Sequence, residues 1–256
     1  MRPADELRKL VEDYLRSLAF AAEIGGLDEA LRYSLEAGGK RIRPVLCLAV
    51  AEAAGGDPEK ALPAGAALEL VHTFTLVHDD LPAMDDDAER RGRPSAHVAF
   101  GEGVALLAGD ALLAEAFRLA LSCDDPGIAR ELTEATLQMI GGQYRDITGD
   151  HSDLEALHRL KTGALFAASV GLGVRSAGVP GEEQAPWRAF GDELGLLFQV
   201  VDDILDGDGY VDQVGADAAR GLADASAARA RDRLADLPGD TSVLREIVGA
   251  LALRTG

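Results

Sequence analysis

Residues 70–87, LVHTFTLVHDDLPAMDDD, decide how this chain can fold, because an apolar helical pattern runs directly into a crowd of aspartates. Pro82 has no backbone N–H and pushes the residue before it away from helical angles, so we expect the helix to end just before it. Asp79 and Asp85 would face different directions on an unbroken helix. A turn over residues 81–84 can instead fold Asp85 back beside Asp79, which would permit the two carboxylates to share a cation.

The same helical period dominates the rest of the chain. Apolar residues recur three and four positions apart, glycine and proline stand at the breaks, and we find no convincing strand. The predicted helices cover residues 7–20, 27–37, 44–54, 61–78, 104–122, 128–140, 153–174, 185–205, 216–237 and 242–253. No break is long enough to link two domains, so the sequence predicts an all-α fold in which residues 1–256 form a single bundle.

The composition excludes several classes of protein. The formal net charge is -19, and a surface this acidic disfavours nucleic acid and anionic membranes as partners. No apolar run is long enough to span a bilayer, and residues 1–20 lack the apolar centre of a signal peptide. Cys47 and Cys123 lack metal-ligand spacing and are better explained as small buried residues. We therefore expect a soluble, cytoplasmic protein with neither a nucleic-acid nor a membrane partner.

A second acidic cluster occupies residues 198–206, FQVVDDILD. Asp202 and Asp206 are four positions apart and share one face of a helix whose other residues are mostly apolar. Charges on a buried helix are costly unless they are paired or bound to metal. A solvated acidic surface is the alternative for either cluster alone, but two such clusters on apolar helices favour a common ligand. Carboxylates without histidine or cysteine select hard cations, so we expect Mg²⁺ completed by phosphate oxygens.

Basic residues are concentrated where an anion would need them. They lie in GGKRIRP at residues 38–44, in ERRGRP at residues 89–94 and in KTG at residues 161–163. Arginine binds two phosphate oxygens with its fork of donors, whereas lysine acts as a point charge, so both modes of phosphate binding are available. The alternative for each is a solvated basic turn, which we favour for Arg41 and Arg93. The substrate is therefore expected to carry phosphate.

Taken together, the motifs GGKRIRP, HDDLPAMDDD followed by RRGRP, GDALL, GGQ, KTGALF and FQVVDDILD resemble, in kind and order, those of the trans-isoprenyl diphosphate synthases, the polyprenyl synthetase family. The resemblance covers about residues 5–252. It implies mostly antiparallel helices around a deep central cavity, a homodimer, and two aspartate motifs that face each other across the cavity mouth. It also implies a transferase that condenses isopentenyl diphosphate with dimethylallyl or geranyl diphosphate to a short-chain trans-prenyl diphosphate.

The resemblance assigns a role to individual residues by position. Asp79 and Asp85 would bridge two Mg²⁺ ions with Asp80 in support. Asp202 would be the main ligand of a third ion, with Asp203 and Asp206 acting directly or through water, all three ions being held together with bound diphosphate. The expected isopentenyl diphosphate pocket consists of Lys40, Arg43, His72 and Arg91. The residues expected to hold the allylic diphosphate are Arg90, Lys161, Thr162 and Gln199.

The length of the product would be set where the growing hydrocarbon meets a wall. Phe74 precedes Asp79 by five residues and would lie about 7.5 Å deeper along a helix. An aromatic residue there, with two extra residues in the first motif, resembles bacterial farnesyl diphosphate synthases and implies a C15 product. A geranylgeranyl diphosphate synthase is the alternative, in which Thr75, Val104 or Leu107 would move the limit.

One stretch departs from the family pattern. The family usually carries a glycine-lysine pair and a further lysine after the second aspartate motif, but residues 207–226 contain none, and no lysine follows Lys161. Arg220 is the candidate replacement; loss of one charged hydrogen bond to a buried anion would cost about 1.5–3 kcal/mol. This gap keeps open a second hypothesis, a non-catalytic partner subunit of another prenyltransferase. A class I terpene cyclase is disfavoured, because DDILD lacks the expected Asn and Ser or Thr.

Overall fold

A computed structural model of the protein describes residues 1–150, 153–207 and 209–253, and these residues are predominantly helical. The α-helices are α1 (Ala4–Ser17), α2 (Asp28–Leu35), α3 (Ile42–Ala53), α4 (Leu62–Asp79), α5 (Ala96–Phe100), α6 (Glu102–Leu121), α7 (Gly127–Ile147), α8 (Leu154–His158), α9 (Ala164–Ser176), α10 (Ala185–Asp206), α11 (Tyr210–Val214), α12 (Ala216–Ala235) and α13 (Ser242–Ala252). Short 3₁₀ turns cover Ala22–Leu27 and Gly181–Glu183, and a π-turn, Arg159–Gly163, joins α8 to α9. The prediction of an all-α fold is confirmed.

The helices pack around one contiguous apolar core. Helix α4 packs chiefly against α6 and α3, while α9 lies against α3, α7 and α10, and α10 in turn packs on α12. Helices α3, α4 and α9 are apolar almost all round, which is the pattern expected of helices surrounded by other helices. Helix α1 instead buries a single stripe, Leu7, Val11 and Leu15, against the outside of the bundle.

Several predicted boundaries differ from those in the structure. Helix α4 ends at Asp79, as the proline predicted. Helix α7 continues seven residues beyond the predicted end at Ile140 and passes through Gly141 and Gly142. The predicted helix over residues 153–174 is interrupted by the π-turn. Helices α5 and α11 were not predicted, because five residues are too few for an apolar period to become visible.

The expectation that the chain has no strand is wrong at one place. Strands β1 (Glu89–Arg90) and β2 (Arg93–Pro94) form a two-stranded antiparallel hairpin. The two residues of its turn, Arg91 and Gly92, have φ angles of 57° and 78°. Positive angles at both positions are what a two-residue hairpin of type I′ requires. Strands of two residues carry no alternation of polar and apolar residues, so the sequence pattern could not reveal them.

Among the described helices, none combines the length and the apolar character needed to cross a lipid bilayer.

Candidate active site

A cavity of about 490 Å³ lies among α4, α7, the π-turn and α10. Its polar lining residues are Arg43, His72, Thr75, His78, Asp79, Gln143, Lys161, Thr162 and Asp202. Its apolar and aromatic lining residues are Phe74, Leu76, Met84, Met139, Ile140, Tyr144, Ile147, Leu165 and Phe198. The fold thus brings one residue of each aspartate motif to the same cavity as predicted basic residues, together with Phe74.

The first aspartate motif folds back on itself as predicted. The backbone N–H of Asp85 donates to the carbonyl oxygen of Asp79 at 2.9 Å, and the N–H groups of Met84 and Asp86 both donate to the carbonyl of Leu81. The side chain of Asp79 lines the cavity, while that of Asp85 is exposed to solvent beside it. The proline turn therefore delivers two carboxylates from one short segment to the same part of the surface.

Gln143 holds the carboxylate of Asp79 from the opposite helix. Its Nε2 donates to Oδ1 of Asp79 at 3.0 Å, across 64 positions of sequence. The sequence assigned no role to Gln143, although it belongs to the GGQ motif, because a single polar residue at a helix end does not reveal a partner so far along the chain. Gln143 and His78 are polar residues of the cavity that sequence reasoning missed.

Asp79 lies in an environment that disfavours its negative charge. Burial raises the pKa of Asp79 to about 6, and the neighbouring carboxylates of Asp85 and Asp80 act in the same direction, while Lys161 and Arg90 oppose the shift. A carboxylate in this situation is stabilised by an additional cation. The electrostatics of the first motif thus favour binding of a positively charged ligand.

Asp80 has a different role, because its carboxylate is already hydrogen-bonded to a side chain of the protein. It is buried, and its Oδ1 accepts hydrogen bonds from both Nε of Arg90, at 2.9 Å, and Nη2 of Arg90. Nη2 also donates to Asp87 at 2.9 Å, and the hydrogen bond with Asp80 raises the pKa of Arg90. Neither Asp80 nor Arg90 lines the cavity described above. The hairpin β1–β2 holds this pair next to the cavity.

The aspartates of the second motif also differ in their surroundings. Asp202 lines the cavity, and Asp206 is exposed one turn further on, at the last residue of α10. Asp203 is buried and faces another side of the helix, where its carboxylate accepts from Nε2 of Gln199 at 2.5 Å and from the N–H of Tyr210 at 2.8 Å. Nδ1 of His158 lies 3.4 Å from the same carboxylate.

Asp203 and Gln199 therefore do not line the cavity that Asp202 lines. Gln199 borders a second cavity of about 410 Å³, on the other side of the π-turn, together with His158 and Tyr210. Gly209 passes so close to Asp203 that a Cβ at that position would clash with its carboxylate, and its φ of 53° also favours glycine. The carboxylate of Asp203 thus holds the turn that leads from α10 to α11.

Arg43 presents a half-buried cation to the cavity. Its guanidinium lies 4.7 Å from the ring centre of Phe166 and 5.8 Å from that of Phe198. Burial lowers the pKa of Arg43 to about 10, and its Nε has no hydrogen-bond partner among the described residues. Because a buried donor without a partner is costly, an anionic ligand in the cavity would stabilise this side chain.

His72 lies in the same cavity and is surrounded by arginines. Burial is the main reason that its pKa lies well below its usual range, and Arg43, Arg91, Arg41 and Arg90 all lower it further. The imidazole is therefore neutral near pH 7 and offers one donor and one acceptor.

The other two residues of the expected isopentenyl diphosphate pocket lie outside the cavity lining. Lys40 is exposed. Nη1 of Arg91 donates to the carbonyl of Gly38, and its guanidinium packs over Gly39, where a Cβ would lie 2.6 Å from Nη1. The structure thus brings Arg43 and His72 together in the cavity lining. Lys40 and Arg91 instead lie outside it, beside the turn formed by Gly38 and Gly39.

The expectation of a solvated basic turn is wrong for Arg41. Its side chain is buried, and its Nη1 donates to Oε1 of Glu69 at 2.6 Å while its Nη2 donates to the carbonyl of Leu35 at 2.5 Å. Arg93 is half-buried, with its guanidinium 3.6 Å from the ring centre of Tyr33. Local sequence reveals neither partner, because Glu69 is 28 positions from Arg41 and Tyr33 lies on α2, far along the chain from Arg93 in β2.

The π-turn carries Lys161 and Thr162 to the cavity. Nζ of Lys161 also donates to Asp146 of α7. The candidate replacement for the missing lysines, Arg220, is instead exposed on α12, with its Nη1 3.3 Å from Oδ1 of Asp217, and it does not line the cavity. Asp208 lies outside the described residues.

The carboxylates of the cavity would hold Mg²⁺ together with other ligands. Within residues 1–150, 153–207 and 209–253, no group of three or more histidine, cysteine and acidic side chains is arranged to hold a metal ion by itself. Asp79 and Asp202 each bring one carboxylate from a separate helix to the cavity. Hard oxygen donors in small number suit Mg²⁺, which retains water and is completed by phosphate oxygens. The donor set therefore fits Mg²⁺ in a complex with a phosphorylated ligand.

Comparison with known proteins gives a consistent result. Residues 25–230 match the family model described as polyprenyl synthetase. A geranylgeranyl diphosphate synthase from Cyanophora paradoxa is 42% identical over 217 residues, which cover 78% of this chain and 72% of that protein. A farnesyl diphosphate synthase from Geobacillus stearothermophilus is 43% identical over 204 residues, covering 74% and 69%. The crystal structure of an FPP/GFPP synthase from Zymomonas mobilis aligns with a TM-score of 0.84 at 31% identity, over 97% of this chain and 99% of that one.

Proposed function

Because the chain belongs to the polyprenyl synthetase family, we propose that it condenses isopentenyl diphosphate with dimethylallyl or geranyl diphosphate and releases farnesyl diphosphate. The enzyme is a transferase, a short-chain trans-prenyl diphosphate synthase. Its relatives include synthases of both the farnesyl and the geranylgeranyl product, so the C15 product is proposed from the cavity.

One observation carries the proposal: Asp79 of the first motif and Asp202 of the second line the same cavity as Arg43 and Lys161. Two diphosphate esters need such a combination, with carboxylates for divalent cations and basic side chains for phosphate oxygens. The apolar part of the lining offers a compartment for the hydrocarbon chains. Bound Mg²⁺ would supply electrostatic stabilisation of the charge that develops on the departing diphosphate.

The chain's own residues would bind, orient and shield the reactants. Lys161 and Thr162 would hold the allylic diphosphate, and Arg43, with neutral His72, would hold that of isopentenyl diphosphate. The bond between the allylic carbon and its diphosphate would break, the double bond of isopentenyl diphosphate would attack that carbon, and the released diphosphate would take up the proton that is lost. This reaction needs no protein nucleophile. The apolar walls would keep water away from the electron-deficient carbon.

The six aspartates of the two motifs would contribute to the metal site in two different ways. Asp79, Asp85, Asp202 and Asp206 would contact Mg²⁺ directly or through water, since they line the cavity or are exposed beside it. Asp80 and Asp203 would act by holding Arg90 and the Gly209–Tyr210 turn, because their carboxylates already accept hydrogen bonds there. Gln199 would act through Asp203. Lys40, Arg90 and Arg91 would complete diphosphate binding from the rim.

The C15 product is proposed from the position of Phe74. Its ring is 6% exposed, lies on the cavity wall and packs edge-on against His78 with 5.6 Å between ring centres. A rigid aromatic pair on the helix that ends in Asp79 would stop a growing chain after a fixed number of carbons. Val104 and Leu107, the alternative limits, do not line this cavity, whereas Thr75 does.

The remaining features of the proposal concern the molecule as a whole. We propose that residues 1–256 form one polyprenyl synthetase domain that acts as a cytoplasmic homodimer. The exposed apolar side chains Leu106 and Leu107 on α6 support a second copy as the partner. The net charge of -19 supports the absence of nucleic-acid and membrane partners.

The decisive experiment is incubation of the purified protein with isopentenyl diphosphate and, separately, dimethylallyl, geranyl or farnesyl diphosphate, with and without Mg²⁺. The products are hydrolysed and identified by chain length. A Mg²⁺-dependent C15 product supports the proposal, and C20 as the main product overturns Phe74 as the limit. If the folded protein condenses none of the primers, the stand-alone enzyme is wrong, and mixing with a catalytic prenyltransferase then tests the partner-subunit alternative.

A further inference from the structure

The π-turn Arg159–Gly163 is packed between two glycines of neighbouring helices. On one side, a Cβ added to Gly142 of α7 would lie 2.5 Å from the backbone nitrogen of Lys161 and 2.8 Å from its Cα. On the other side, a Cβ added to Gly195 of α10 would lie 3.1 Å from the Cα of Gly163. Cβ atoms do not approach backbone as closely as the first contact would require. The turn can thus occupy its place only because residue 142 has no side chain.

The π-turn determines how its two polar residues are presented. Lys161 and Thr162 are adjacent in sequence, yet both line the cavity. A π-turn is wider than an α-helical turn, so successive residues are separated by a smaller angle and can share one side. Helix α7 holds this turn twice, at the backbone through the contact with Gly142 and at the side chain through Asp146, which accepts from Lys161.

We propose that Gly142 is a positioning residue that sets the distance between α7 and the π-turn and thereby directs Lys161 and Thr162 at the allylic diphosphate. The inference rests on the proposed function, in which these two side chains bind that diphosphate. An alanine at residue 142 would push the backbone of the turn away from α7. It would separate Lys161 from Asp146 and move its ammonium group from the anion.

The chain provides a matched control one residue away. A Cβ added to Gly141 would meet nothing within 4 Å, although Gly141 lies in the same helix. Alanine is a better helix former than glycine at both positions, so helix propensity affects Gly141→Ala and Gly142→Ala equally. The contact with the π-turn is the difference between the two variants.

The experiment measures binding and catalysis separately. Inorganic diphosphate is titrated calorimetrically, in excess MgCl₂, into the wild type, Gly141→Ala, Gly142→Ala and Lys161→Ala. Steady-state KM values are measured for geranyl and isopentenyl diphosphate. We expect Gly142→Ala to bind diphosphate roughly tenfold more weakly or worse, as Lys161→Ala does, because a charge-assisted contact is lost. We expect its KM for geranyl diphosphate to rise while that for isopentenyl diphosphate is unchanged, and Gly141→Ala to match the wild type.

Each result has one meaning. Equal diphosphate affinity in folded Gly142→Ala and Gly141→Ala overturns the inference, as does unchanged affinity in Lys161→Ala. If Gly142→Ala does not fold, Gly195→Ala tests the same dependence on the position of the turn, because its milder contact displaces the turn from the opposite side; unchanged diphosphate affinity in that variant overturns the inference. A wild type that binds diphosphate but makes no prenyl product defeats the proposed function, while a selective loss in Gly142→Ala still supports its positioning role.

Discussion

The N–H of Asp85 donates to the carbonyl oxygen of Asp79 at 2.9 Å, so a main-chain hydrogen bond fixes the separation between the two ends of the first aspartate motif. The side chains can then approach one ligand from a preformed turn. Replacement of a carboxylate should therefore impair catalysis without disturbing the turn.

We expect Asp79→Asn and Asp85→Asn each to lower kcat by about 100-fold or more, because each removes a negative charge from the proposed Mg²⁺ site. The measurement is the initial rate of condensation at saturating Mg²⁺. Asp86→Asn is the control, since Asp86 is exposed, has no proposed role, and has a φ of 54° that asparagine tolerates. Equal losses in all three variants would show that only the total charge of the motif matters.

Neighbouring aspartates of the second motif should respond differently to substitution. Asp203→Ala leaves the N–H of Tyr210 without its acceptor, so we expect the free energy of unfolding to fall by about 1–3 kcal/mol. Asp202 lines the cavity instead, so we expect Asp202→Ala mainly to lower kcat. Urea unfolding and condensation rates measured on both variants check this separation. A stable, inactive Asp203→Ala variant would instead indicate that Asp203 contacts the metal.

Phe74→Ala should lengthen the product from the proposed C15 towards C20, because removal of the ring extends the apolar compartment. The measurement is the chain length of the prenols after hydrolysis, with thermal unfolding to confirm that the variant folds. Phe100→Ala removes an aromatic ring that packs on Tyr33 instead of lining the cavity. That control should retain the wild-type product, and an unchanged product in Phe74→Ala would place the limit elsewhere.

His72 should make the folded state sensitive to acid. Its pKa in the folded protein lies well below its usual range, so the unfolded chain takes up a proton near pH 6.5 that the folded protein resists. Stability therefore falls as the pH falls. Between about pH 7.5 and about pH 5.5, we expect the wild type to lose about 1 kcal/mol more unfolding free energy than His72→Gln. The measurement is the free energy of unfolding in urea at each pH. If it changes with pH in the same way in both proteins, the pKa of His72 is not lowered in the folded state.

Removal of one partner of the buried ion pair Arg41–Glu69 should destabilise the folded protein much more than replacement of both partners by apolar residues. Glu69→Ala leaves the guanidinium buried without its carboxylate, and we expect a loss of about 3–5 kcal/mol in unfolding free energy. The double replacement Arg41→Leu with Glu69→Leu should cost much less, because no charge remains buried. Chemical unfolding of both variants provides the comparison. If the double variant is as unstable as the single one, packing rather than charge explains the loss.

Sequence patterns predicted the features that depend on near neighbours. The end of α4 and the return of Asp85 to Asp79 followed from Pro82 and its surroundings. Apolar spacing located the long helices, and two aspartate motifs on apolar helices pointed to a common ligand.

Features that depend on distant partners could not be predicted. The burial of Arg41 depends on Glu69, and the hold on Asp79 depends on Gln143, 64 positions away. The same holds for Asp203, whose orientation is decided by the turn at Tyr210 rather than by its place in the motif. The π-turn was not predicted either, because it depends on close contact with Gly142 of α7. From the sequence alone, glycine at residue 142 indicates only a less stable position in a helix.

Part of the cavity wall is also the outside of the molecule. Ile140, Tyr144 and Ile147 line the cavity while their exposed fractions are 46%, 64% and 58%. Substitutions at exposed positions usually change stability by no more than about 0.5 kcal/mol, whereas changes in a core cost several times more. Substitutions on this exposed face of α7 are therefore expected to reshape the cavity wall at little cost to folding, while the acidic motifs and the core stay as they are.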